Sequence, residues 1–101
     1  MSTVGEKLRV LRENTGLSLR KAAVLVDIDV AILSKMERSE RKFTKELIVR
    51  LADIYHVKSD ELIVSFLSEK VVYELKDEEF GLKALKVAEK QIQYLQNNRN
   101  V

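Results

Sequence analysis

Residues 18–38 read SLRKAAVLVDIDVAILSKMER, and the organisation of the chain follows from this stretch. Ser18 is suited to cap a helix, because its hydroxyl can accept a backbone N–H that the first helical turn leaves without a partner. Leu19, Ala22, Ala23 and Val26 then fall at i, i+3, i+4 and i+7, the spacing of one apolar helix face. Asp27 interrupts that face. Its short acceptor side chain suits a turn, and it tolerates the left-handed conformation better than most residues other than glycine. Asp29 is placed to cap a second helix, with Ile28, Leu33 and Met36 supplying inward contacts. Ala22 and Ala23 let the two helices cross closely. The stretch predicts two short helices joined by a tight turn.

The flanks continue in helical register. Residues 4–14 read as a first helix with Leu8 and Leu11 inward, stopped by Gly16 as a left-handed cap. Arg38 to Phe43 is a charged loop, and Thr44 caps a fourth helix whose buried stripe is Leu47, Ile48, Leu51 and Tyr55. Ser59-Asp60-Glu61 opens a fifth, since carboxylates suit the positive end of the helix dipole. Leu62, Ile63, Phe66 and Leu67 form its apolar face, and it can run on through Val71, Val72 and Leu75. Asp77-Glu78-Glu79 repeats the start signal, and a last helix extends to about Gln96. No strand is expected; Val71-Val72-Tyr73 is the one β-prone run, and its neighbours are helical.

Composition narrows the function. The chain has 101 residues, no cysteine and no proline, with 46% hydrophobic and 34% charged residues. One folded, helix-rich domain fits those figures, and a disulfide framework, a thiolate metal site and a thiol nucleophile are excluded. Met1 is not followed by a basic, apolar, small-residue progression, so no signal peptide is expected. The most apolar run, Ala22 to Leu33, is broken by Asp27 and Asp29, so a membrane span is not expected either. The expectation is a cytoplasmic protein. Residues 1–58 hold twelve Lys/Arg against eight Asp/Glu, whereas residues 59–101 hold six against eight. The basic half carries the paired helices, as expected if they meet phosphate.

Residues on either side of the opening stretch fall into a wider pattern: Leu8, Leu11 and Arg12; Gly16-Leu17-Ser18; Ala23, Ile28, Ser34 and Glu37; Leu51, Ala52, Val57 and Asp60-Glu61-Leu62. In order and spacing, over about residues 4 to 66, this resembles the phage-repressor (XRE, Cro-like) helix-turn-helix family. The chain departs from that pattern at Leu19, where glutamine is frequent, at Asp27 and Ser39, where glycines are usual, and at Phe43, where proline is common. The resemblance implies an all-α fold, a five-helix repressor-like domain over residues 1–67; the helical pattern beyond it adds a C-terminal helical extension over residues 68–101. It also implies that the second helix of the pair lies in the major groove of double-stranded DNA. Carried over residue by residue, Val30, Ala31, Ser34 and Lys35 would face the bases. Lys35 can donate to guanine or to phosphate, and Ser34 can reach either. Val30 and Ala31 either touch thymine methyl groups or simply tolerate the groove. Arg20, Lys21, Arg38, Arg41 and Lys42 would meet phosphates. Arg12 and Glu37 would form the family's ion pair between the first helix and the end of the recognition helix, a structural role.

The last helix lies outside that resemblance. At about 100° per residue, Leu85, Ala88, Ile92 and Leu95 make a heptad-like seam, with Phe80, Ala84, Val87 and Tyr94 as a second stripe beside it. One stripe can pack on the chain's own fifth helix; the other needs a partner, and a symmetric dimer is the simplest.

An enzyme is not expected. His56 is the only histidine, with no cysteine to complete a metal site, and no Gly-rich phosphate loop or nucleophile–base pair is present. No cofactor is expected. The sequence reading is a DNA-binding transcriptional regulator, a repressor acting as a homodimer on a two-fold operator. The alternatives are a module holding another protein, as antitoxins do, or a controller of a restriction–modification system. Val24 and Leu25, apolar where the family is commonly polar, and the last helix favour the first alternative.

Overall fold

The computed structural model describes residues 2–99 and is all-helical over them. Six helices follow in order: α1 (Val4–Thr15), α2 (Leu19–Leu25), α3 (Val30–Glu37), α4 (Lys45–Ile54), α5 (Asp60–Leu75) and α6 (Gly81–Arg99). The chain divides into two compact units, one running to Glu69 and the other beginning at Lys70, so the division falls within α5.

In the first unit each of the first four helices starts on a hydroxyl or carboxylate cap. Thr3, Ser18 and Thr44 accept the N–H of Glu6, Lys21 and Leu47, each at 3.1 Å, and Asp29 accepts those of Ala31 at 2.7 Å and Ile32 at 3.4 Å. Each cap is worth about 1 kcal/mol. The same four helices also end alike. Gly16, Asp27, Ser39 and His56 take left-handed φ of 79°, 56°, 65° and 60°. Each donates its N–H back to the helix end. The residue after each reaches one carbonyl further: Leu17 to Arg12, Ile28 to Ala23, Glu40 to Lys35 and Val57 to Ala52. This is the Schellman pattern, and three of its four left-handed positions lack the glycine that adopts the conformation freely. His56 is therefore a helix-end residue.

Leu8, Leu33, Ile48, Leu51 and Val26 are the largest side chains fully out of solvent, and α3 packs against both α1 and α2. Ala22 and Ala23 are buried between the paired helices, as their size predicts. Gly5 allows a second close approach. A β-carbon there would fall on the Met36 carbonyl oxygen and 2.9 Å from that of Glu37, so α1 begins against the backbone that ends α3. The far side of α1 meets α5, where the Glu69 carboxylate accepts the Val4 N–H at 2.8 Å and Lys7 donates to Ser65.

Several expectations need correction. Phe43 lies in the loop after α3, as expected, but its side chain is buried in the core. Leu67 is exposed; Leu62 and Phe66 are the buried residues of α5, with Ile63 beside them, and Leu67 lies about 100° around the helix from Phe66.

In the second unit α6 starts at Gly81, not at the acidic triplet, and ends at Arg99, not at Gln96. Asp77-Glu78-Glu79 lies in a turn, in which Glu78 donates to the Leu75 carbonyl and Gly81 to that of Glu78. A β-carbon on Gly81 would stand 2.6 Å from the Leu75 carbonyl oxygen, so glycine is required at the point where the chain re-enters helix. Neither apolar stripe of α6 is covered. Phe80, Leu85, Val87, Ile92, Tyr94 and Leu95 are all exposed, which corrects the expectation that α5 covers one of the two.

Candidate nucleic-acid interface

Helix α3 is eight residues long and turns two sides to different surroundings. Leu33, Met36 and Glu37 are buried, and Val30 and Ile32 are half-buried with contacts to the core. Ala31 and Lys35 are exposed, and Ser34 is half-buried. Ala31, Ser34 and Lys35 follow at i, i+3 and i+4, so they share one helix face. Val30 sits at its edge, divided between core and surface.

The basic residues singled out by the sequence lie on the helix before α3 and in the loop after it. Arg20 and Lys21 occupy the first turn of α2, and Arg38, Arg41 and Lys42 follow α3; all five are exposed. Arg38 is already engaged. Its Nε lies 3.3 Å from the Ser34 carbonyl oxygen and 3.0 Å from the carboxylate of Glu40. Both side chains of that ion pair are more than half exposed, so it contributes little and can exchange for another anion. Glu40 is the one acidic side chain in this loop, and sequence reasoning passed over it.

Arg12 and Glu37 tie the end of α3 to α1. Arg12 donates from Nε to Glu37 Oε2 at 2.8 Å, from Nη2 to Oε1 at 3.0 Å, and from Nη1 to the Leu17 carbonyl at 2.9 Å. The fork geometry satisfies a carboxylate that lies at the negative end of α3 and is 5% exposed. The hydrogen bonds that Arg12 donates to Glu37 raise the Arg12 pKa above its usual value despite burial.

Tyr55 is the third polar group in this region, and sequence reasoning placed it only in an apolar stripe. Its hydroxyl is buried with no hydrogen-bond partner among the described residues. Burial, reinforced by the Glu37 charge and opposed by Arg12, pushes its pKa up to about 12. Among the described residues no three His, Cys, Asp or Glu side chains are grouped to share a metal ion, and no helix is long and apolar enough to cross a membrane.

Comparison with known proteins agrees with this architecture. Nothing among curated proteins matches the sequence. A hypothetical protein from E. coli superposes with a TM-score of 0.63 at 22% identity, covering 90% of this chain and 97% of that one. The clp gene regulator ClgR from Corynebacterium glutamicum superposes with a TM-score of 0.57 at 20% identity, covering 91% and 84%. At these identities the likeness is one of fold. The family model described as a helix-turn-helix domain matches residues 3–64, well over half of the chain. With α2, its left-handed turn at Asp27 and α3 in that arrangement, the chain belongs to the helix-turn-helix domain family.

Proposed function

We propose that this chain is a sequence-specific DNA-binding transcriptional regulator, a cytoplasmic repressor that acts as a homodimer on a two-fold operator. The observation that carries the reading is the face Ala31, Ser34, Lys35, exposed or half-exposed on a helix tied to α1 by Arg12, with five exposed cations on α2 and in the loop after α3. Lys35 and Ser34 supply donors to base edges or phosphates, Ala31 and the outer side of Val30 apolar contact, and the flanking cations phosphate neutralisation. ClgR, named as a gene regulator, supports the reading by analogy of fold.

The test is anisotropy of labelled duplex DNA across a salt series. Binding that weakens steeply as salt rises supports the reading, and no binding at low salt contradicts it. A second reading, a module that holds another protein, is favoured by one observation: Val24 and Leu25 on α2 are 73% and 51% exposed.

A further inference from the structure

Among the described residues of α6, nineteen in all, Gly81 alone is buried, and the seam residues Leu85, Ile92 and Leu95 are 40%, 53% and 59% exposed. In proteins most of a helix's stability comes from packing an apolar face, and α6 leaves its own open. The face therefore requires an occupant, and its own spacing identifies one.

We propose that α6 pairs with α6 of a second copy of this chain in antiparallel orientation, Leu85 opposite the partner's Leu95 and Ala88 opposite the partner's Ile92. This rests on the homodimer reading and adds its geometry. Two independent features of the chain select antiparallel over parallel pairing.

The first is volume. In a parallel pair each seam residue meets its own copy, so Ala88 against Ala88 leaves a gap beside a layer of two isoleucines. In the antiparallel pair small faces large in both central layers, which fills the seam evenly.

The second is charge. Residues 81–99 carry four cations against one carboxylate, whereas residues 70–80 carry four carboxylates against two lysines. Parallel pairing sets like ends together and places Arg99, seven residues after Ile92 and in line with the seam, against its own copy. Antiparallel pairing carries Arg99 to the start of the partner's helix, beside the carboxylates of the Asp77–Glu79 segment. One repulsion remains. Glu89 flanks the seam at its centre and meets the partner's Glu89 across the two-fold axis.

The chain has no cysteine, so single cysteines report the orientation without background. Leu85→Cys and Leu95→Cys are made in the full-length protein, then oxidised mildly alone and mixed. Antiparallel pairing gives a disulfide-linked dimer only from the mixture, because residue 85 lies about 15 Å along the axis from its own copy at about 1.5 Å per residue. Self-linked dimers from each variant alone would overturn the orientation and leave the dimer intact. A persistent dimer with no link from any combination would overturn it too, by moving the interface off α6. Where cysteine in the seam weakens assembly, Glu89→Gln in the otherwise native chain gives a second reading by sedimentation. The dimer dissociation constant falls by roughly 1.4- to 2.3-fold if the two glutamates face each other, and an unchanged constant overturns the register. A native chain that stays monomeric at high concentration would overturn the homodimer reading itself, and this proposal with it.

Discussion

The Arg12 guanidinium on α1 holds the Glu37 carboxylate at the end of α3 through two contacts, at 2.8 and 3.0 Å. The two residues are 25 positions apart, and the approach of Gly5 to the last carbonyls of α3 seals the same junction. The side chains are 12% and 5% exposed, so both charges are largely withdrawn from water, Glu37 most of all. Removing one partner leaves the other buried and uncompensated. Glu37→Ala should therefore cost about 3–5 kcal/mol. Chemical denaturation measures it directly, and a loss below about 1 kcal/mol would show the pair to be far more solvated than its geometry requires.

Tyr55 gives a prediction in pH. Its pKa rises to about 12 in the folded chain from an ordinary value of 10, so folding favours the neutral phenol. That contribution is fully present below pH 10 and is lost as pH climbs from 10 toward 12. The loss is on the order of 2 kcal/mol by linkage. Tyr55→Phe should remove this part of the alkaline decline. Near neutrality it should cost little or stabilise by about 1 kcal/mol, because it deletes a buried hydroxyl without a partner. Denaturation of both proteins from pH 8 to pH 12 isolates the Tyr55 contribution as the difference between them.

His56 gives a prediction in backbone strain. Its φ of 60° is a conformation that costs a residue with a β-carbon roughly 1–2 kcal/mol, against the roughly 0.5–1 kcal/mol that glycine loses in chain entropy. His56→Gly should stabilise the fold by about 0.5–1 kcal/mol, seen as a melting temperature a few degrees higher. A lower melting temperature would mean that the imidazole makes a contact worth more than the strain.

The sequence disclosed what is local and concealed what is distant. Caps at Ser18, Asp29 and Thr44 were legible because donor and acceptor lie within three residues of each other. The left-handed turn at Asp27 was legible for the same reason. Ser39 and His56 adopt that conformation without the residue that advertises it, so the shared ending of the first four helices was not. Phe43 was hidden by its charged neighbours, because loop composition outweighed one aromatic residue. The Glu69 contact to the Val4 N–H joins the first helix to the fifth, across a separation no periodicity encodes. Of the interface, the exposed face of α3 followed from helical spacing, while the pairing of Arg12 with Glu37 came from family resemblance alone. The burial that divides Val30 between core and surface needed coordinates.

Two substitutions separate base contact from phosphate contact. Lys35→Ala should cost roughly 1–3 kcal/mol on the preferred site and relax preference at one position per half-site. Arg41→Ala should weaken binding evenly across sequences and flatten the salt slope by about one unit. Competition binding with single-position variants of the site, at two salt concentrations, measures both.

Selection of bound duplexes from a random DNA pool tests the central claim most directly. If α3 reads base edges and two copies act together, the enriched sequences form a two-fold motif with half-site centres about one helical turn, or a multiple of it, apart. The Lys35→Ala protein, put through the same selection, should lose information at one position in each half-site. A pool that shows no enrichment after rounds at low salt, with the native protein folded, would contradict sequence-specific DNA recognition by this chain.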